Sequence, residues 1–176
     1  MQTVFENQII AAGLSPDDKL LVAVSGGVDS VVLLHLLSAC TARFGLCLSV
    51  AHLDHRIRPE SAADAGFVQQ FCTTLDLPCI VESCDVSGLA HAKAISLEMA
   101  GREARREFLL RSSERIGARL IALGHHRDDQ VETFLLRLLR GSGVAGLSAM
   151  RTCNGRWWRP LLEFSREDIV TYARQH

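Results

Sequence analysis

The sequence predicts an α/β domain built on a doubly wound, Rossmann-like parallel sheet of about five strands. Two observations lead there. Unbroken apolar runs of strand length recur between longer amphipathic stretches, the pattern of strands buried on both faces by crossover helices. The first of these runs ends in a glycine pair that opens a strongly apolar helix, where such folds gather their ligands. At 176 residues one domain accounts for the chain, and it can bury about two-thirds of its unfolded surface without staples.

The elements follow in order. An opening helix is expected near 3–12, then a strand at 19–24, "KLLVAV", and a helix at 28–42 carrying Val28, Val31, Val32, Leu34 and Leu36. A second strand at 46–53, "LCLSVAHL", leads to a helix at 61–76; a third at 78–83, "PCIVES", precedes one at 96–116. The fourth strand, 118–124, "ARLIALG", runs into a helix at 128–140 whose Val131, Phe134, Leu135, Leu138 and Leu139 form an expected buried stripe. Asp129 with Glu132 three residues on matches a capping box in form. Residues 141–160 form a glycine-rich connection with a short fifth strand before Pro160. A last helix is expected from Ser165, where "SRED" fits a cap, and it reaches His176 without a stop signal. That ending predicts a fragment of a longer protein.

Net charge is −1, unevenly divided. Residues 1–88 hold 4 Lys/Arg against 10 Asp/Glu, a net of −6, while residues 89–176 hold 15 against 10, a net of +5. Fourteen of those fifteen are arginine, the side chain suited to bidentate phosphate contact, so a polyanionic partner is one reading. Lacing of exposed helices is the other, since Glu98 and Arg102, and Glu107 and Arg111, stand four apart. Six scattered cysteines with no CxxC pair argue for reduced, mostly packed thiols over a zinc or iron-sulfur site. No basic-then-apolar leader opens the chain and no apolar run approaches a membrane span of roughly 20 residues, so a cytoplasmic location without membrane contact is expected.

The glycine loop, Ser25-Gly26-Gly27-Val28-Asp29-Ser30, has the parts of an anion cradle: glycines that admit φ above zero, free amides at a helix start, and two hydroxyls. It lacks the lysine of a Walker A loop, and it carries a carboxylate instead. A bare Asp29 would repel a pyrophosphate, so something positive must stand between them, and Mg²⁺, which bridges carboxylates to substrate phosphates, suits that place. Alternatively Asp29 only favours the helix start. Two further strand ends carry polar clusters: His52, Asp54 and His55 after the second, with Asp54 near the distance expected of a ribose-binding acid, and Gly124, His125, His126, Asp128 and Asp129 after the fourth. Winding the sheet in two directions sets the fourth strand beside the first, so two acidic loops could share one metal. Arg102, Arg105 and Arg106 fall on one face near a helix start, from which one could reach phosphate.

"SGGVDS", "HLDHRIRPES" and "GHHRDDQVETFLLRLLRGSGVAGLSAM", in that order and spacing, resemble the N-type ATP pyrophosphatase (PP-loop) superfamily, and within it the tRNA(Ile)-lysidine synthetase family, over roughly residues 18–172. The resemblance implies an adenine nucleotide alpha hydrolase-like sheet, with ATP and Mg²⁺ as cofactors. It also implies free L-lysine and tRNA(Ile) with a CAU anticodon as partners, and a ligase that joins lysine to the wobble cytidine through an adenylated intermediate. By that likeness residues 25–30 hold the β and γ phosphates, and His52, Asp54, His55, Gly124, His125 and His126 flank the nucleotide. Asp29, Arg102, Arg105 and Asp129 would be catalytic, the arginines balancing the reacting adenylate, and Asp29, Asp128 and Asp129 would be the Mg²⁺ ligands, with Asp128 and Asp129 otherwise meeting the incoming amine. Arg106 stands where the family usually has an aromatic residue. The family continues into tRNA-gripping domains absent from these residues, so residues 1–176 would be its N-terminal catalytic domain, and the fragment alone could be inactive on tRNA. Other readings are another PP-loop enzyme, of the tRNA thiolase or the NAD or GMP synthetase type, and an ATP-binding module without catalysis; a thiolase would be expected to show the cysteine pairs this chain lacks.

Overall fold

The structure, a computed structural model, describes residues 1–57, 61–141 and 149–176. Its elements run α1 (Gln2–Ala11), β1 (Lys19–Ala23), α2 (Val28–Phe44), β2 (Cys47–Asp54), α3 (Ser61–Thr74), β3 (Cys79–Ser83), α4 (Val86–Lys93), α5 (Leu97–Ile116), β4 (Leu120–Ala122), α6 (Arg127–Leu139), β5 (Cys153–Asn154), β6 (Trp157–Trp158) and α7 (Arg166–Gln175). The sheet order is β3-β2-β1-β4-β6-β5, parallel throughout except for the β5–β6 hairpin. The chain winds outward from β1 to β3 and then returns to place β4 on the other side of β1. The carboxyl ends of β1 and β4 therefore adjoin, at the reversal point where such sheets bind ligands.

Alternation along β1 shows why both faces are apolar. Leu20 and Val22 belong to the core beneath α1, α2 and α7, with Phe5, Leu33, Leu37, Trp158 and Ile169, whereas Leu21 faces Phe108 and Leu109 of α5. Helix ends follow local chemistry: Ser96 accepts the amide of Met99 at 3.2 Å to start α5, and Gly117, at φ +69°, ends it in the left-handed conformation. Ser165 and Asp168 form the expected box at the start of α7.

The structure departs from expectation at five places. The sheet has six strands rather than about five, because residues 153–158 fold back as a hairpin at its edge. Helix α4 was not expected; it is short and contains Gly88, and it is nucleated by Asp85, whose carboxylate accepts the amide of Gly88 at 2.9 Å. Helix α6 begins at Arg127, with Asp129 reaching back to the amide of His126 at 2.8 Å, so the box sits one turn earlier than an Asp129–Glu132 pairing would have it. The expected buried stripe of α6 is exposed: Leu135 is 49 % and Leu139 83 % accessible, and no residue of that helix is buried. The periodicity marks a face able to be covered, yet nothing among the described residues covers it. Finally, Glu107 approaches Arg111 at 3.7 Å as its spacing implies, but Arg102 pairs with no carboxylate and turns into a cleft. The glycine-rich stretch expected after α6 lies largely outside the described residues.

All six cysteines are free; Cys40 and Cys72 are buried, and burial pushes their thiols up to about 11 and about 12, while Cys47 and Cys153 are exposed. Among the described residues no helix is long and apolar enough to cross a membrane.

Candidate active site

A cleft of about 870 Å³ opens at the carboxyl edge of the sheet, floored by the ends of β1, β2 and β4 and walled by the start of α5 and the β5–β6 hairpin. At its centre the glycine loop is shaped by its serines. Ser30 Oγ donates to the carbonyl of Gly27 at 2.8 Å and accepts the amide of Ser25 at 3.1 Å, while Gly26 takes φ +90°. This folding leaves the amides of Gly26, Val28 and Asp29 without partners among the described residues, turned out at the start of a 17-residue helix. Gly124, at the end of β4, lies against this turn so closely that a Cβ there would stand 3.2 Å from the nitrogen of Ser30 and 3.3 Å from the carbonyl carbon of Asp29.

Asp29 does not stand bare. Arg166, the first residue of α7, ion-pairs with its carboxylate, and the amide of Arg166 donates to Asp128 Oδ2 at 2.7 Å. His126 Nε2 comes within 3.8 Å of Asp29 and 3.7 Å of Asp129, and its Nδ1 within 3.6 Å of Asp128. The three acids expected to meet from neighbouring loops thus gather around one imidazole. The positive charge beside Asp29 comes from a residue that the sequence offered only as part of a helix cap.

On the β2 side, His52 is buried; its Nδ1 donates to the carbonyl of Val24 at 2.8 Å and its Nε2 has no partner among the described residues. Asp54 accepts the amide of Arg56 at 2.8 Å, which with the Ser61 hydroxyl holds its carboxyl below the usual range despite partial burial. His55 and His125 each keep a buried Nδ1 without a partner. Burial lowers both, and positive neighbours lower them further: Arg105 beside His55, and Arg159, Arg105 and Arg102 around His125.

The field of that arginine wall can be measured without any reaction. In an NMR titration of the ligand-free protein, His55 is expected to titrate below the usual histidine value near 6.5, and Arg105→Ala is expected to move its midpoint upward part of the way. An unmoved midpoint in the folded variant would separate the two side chains. Because such histidines take up protons more readily unfolded than folded, their share of stability is intact above about 6.5 and is lost as pH falls through the folded value.

A model of the PP-loop domain matches residues 1–176. The chain belongs to the PP-loop family. The tRNA(Ile)-lysidine synthase of Clostridium acetobutylicum is 40% identical over 175 residues, which cover 98% of this chain and 37% of that protein. That of Geobacter sulfurreducens is 45% identical over 160 residues, 89% of this chain and 34% of the relative. The chain therefore spans somewhat over a third of the length of these curated relatives. Among solved structures, a U34-tRNA thiolase from Methanococcus maripaludis with its [4Fe-4S] cluster superposes with a TM-score of 0.82 at 18% identity, over 98% of this chain and 61% of that one. An NH3-dependent NAD synthetase from Campylobacter jejuni does so with a TM-score of 0.63 at 16% identity, over 99% and 72%. These two likenesses show the shared fold.

The Ser25–Ser30 turn has the glycines, hydroxyls and free amides expected of the loop that names the family, and ATP is the nucleotide that family uses. Of the expected site residues, Ser25, Asp29, Ser30, His52, Asp54, His55, Arg102, Arg105, Gly124 and His125 line one cleft. His126 and Asp129 stand beside it, touching Asp29 and the start of α6. Sequence reasoning missed Arg159 and the hairpin residues Asn154 to Trp157, which reach the site through the sheet order, and Arg166, which reaches it through the packing of α7 on α2. Hard oxygen donors at Asp29 and Asp129, both near His126 Nε2, suit Mg²⁺. No set of three or more His, Cys, Asp or Glu forms a protein-only cage among the described residues, but a magnesium shared with phosphates and waters needs just one or two carboxylates. Asp128 and Asp129 each keep one oxygen uncommitted by the backbone amides they cap.

Proposed function

We propose that residues 1–176 form the ATP-pyrophosphatase catalytic domain of an enzyme that joins lysine to the wobble cytidine of tRNA(Ile), releasing pyrophosphate and AMP. The observation that supports this most is the 40% identity, over 98% of the chain, to a tRNA(Ile)-lysidine synthase. The cytosine oxygen is a poor leaving group, so it is first joined to the α-phosphorus of ATP as the bond to pyrophosphate breaks. The lysine ε-amine then bonds to the activated ring carbon, the carbon–oxygen bond breaks, and AMP leaves while the amine gives up its proton.

The parts fit these demands. The free PP-loop amides stabilise charge as it builds on the departing pyrophosphate. Arg102 and Arg105 face the phosphoryl group being transferred, and a neutral His125 or the Asp129 carboxylate accepts the amine's proton. Asp29, Asp128 and Asp129 would hold Mg²⁺, which when bound supplies charge against the phosphate oxygens. His52 and Asp54 meet the nucleoside. These substrates, ATP, lysine and a tRNA with a CAU anticodon, place the reaction in the cytoplasm.

Incubating the full chain with ATP, lysine and a CAU anticodon stem-loop is expected to add to the RNA the mass of one lysine less one water. A folded chain that leaves the RNA mass unchanged, yet makes AMP and pyrophosphate with another acceptor, would reassign the reaction within the PP-loop family.

A further inference from the structure

Beyond Arg102 and Arg105, assigned above to the transferred phosphoryl group, the cleft holds a third arginine with no role in the proposed reaction, Arg159. Arg159 follows β6, two strands from β1 in the sheet order, or about 10 Å at ordinary strand spacing. It lines the cleft together with Arg102 and Arg105 of α5. None of the three pairs with a carboxylate among the described residues. Among the described residues the guanidinium of Arg159 makes one side-chain hydrogen bond, from Nη1 to the carbonyl of Arg151 at 3.2 Å, and its buried Nε has no partner there. Burial in the cleft lowers Arg159 and Arg105 below the usual arginine value, and in both cases Arg102 lowers them further; solvent still reaches Arg102 and Arg105. Three neighbouring cations without counter-charge repel one another, and a bound anion relieves that cost.

Position decides which anion. Asp54, on the β2 side of the PP-loop, lies where the nucleoside of ATP belongs, and the loop's own amides serve its phosphates. Arg159 lies on the opposite side, where the second substrate must enter. From there the wall runs out to a solvent-facing rim: Arg156 at the exposed hairpin turn, and Arg106 with its guanidinium 5.9 Å from the Trp157 ring. Basic side chains beside a half-exposed indole suit a single strand with splayed bases.

We propose that Arg159, next to the Arg102 and Arg105 pair that meets the transferred phosphoryl group, binds a backbone phosphodiester of the single-stranded RNA acceptor on the β6 side of the cleft. The inference rests on the proposed function for its choice of RNA. It makes Arg159 a substrate-positioning residue with little part in holding ATP.

The test measures binding of the full chain to a labelled CAU anticodon stem-loop without ATP, and separately to ATP. Arg159→Ala is expected to weaken RNA binding about tenfold and to reduce the slope of log K against log salt by about 0.7, with ATP affinity unchanged and Arg159→Lys recovering part of the loss. With unaltered protein, replacing the phosphate next to the wobble cytidine by an uncharged methylphosphonate is expected to cost the same, and to cost Arg159→Ala nothing more, which keeps the test decisive should a variant fold poorly. Unchanged RNA affinity in both arms, or an equal loss of ATP affinity showing that the phosphate is the nucleotide's, would overturn the proposal. A chain that binds RNA through Arg159 but transfers no lysine would overturn the proposed function and leave this site standing.

Discussion

Replacing Asp29 by alanine is expected to reduce ATP-dependent pyrophosphate release by about a hundredfold or more while the melting temperature stays nearly unchanged. Asp29 lies in the first turn of α2, outside the buried core, and its carboxylate meets Arg166 and His126. Its loss therefore opens no cavity. What disappears is the one carboxylate on the PP-loop itself, placed beside amides that must take a phosphate. Arg166→Ala distinguishes two parts for the ion pair. If Arg166 only shields Asp29 until metal and nucleotide arrive, that variant is expected to need less Mg²⁺ for half-maximal ATP binding, read by calorimetry. Near-normal turnover in folded Asp29→Ala would remove this carboxylate from the chemistry.

Gly124→Ala is expected to lower ATP affinity by about tenfold to a hundredfold with a small change in stability. The added methyl would stand 3.2 Å from the nitrogen of Ser30 and 3.3 Å from both Ser30 Cα and the carbonyl carbon of Asp29. All three are backbone atoms at the start of α2, so no side chain can swing aside and the turn itself must move by tenths of an ångström. The free amides proposed to receive the phosphate ride on that turn. Calorimetric titration with ATP on the folded variant reads the effect, and an unchanged affinity would mean that the β4 end does not set the loop's position.

How much of this was legible depended on whether the signal was local. Strands β1 to β4 could be read because strands of a parallel sheet show as short, largely apolar runs, as "LLVAV" does at 20–24. The PP-loop could be read because its glycines, hydroxyls and acid lie within six consecutive residues, 25–30. Placing the β4 loop over it needed one further step, the reversal of winding, and the structure has it. The failures were tertiary. The stripe on α6 satisfies every rule for a buried face, but periodicity says which side could be covered and nothing about what covers it. Arg166 reads as a residue beside Ser165 in a helix cap, and that it reaches Asp29, 137 positions away, follows from α7 packing on α2. Arg159 looked like one of fourteen arginines in the second half until β6 joined β4 and set it at the cleft.

The central claim is that the PP-loop amides and Asp29 together receive the triphosphate tail of ATP. The most direct test is a crystal structure of this chain with Mg²⁺ and a non-hydrolysable ATP analogue. The expected result has the tail against the amides of Gly26, Val28 and Asp29, with Asp29 turned to the metal and Arg166 released from it. A tail bound elsewhere, with Asp29 still paired to Arg166 and Asp129 facing solvent, would contradict the account.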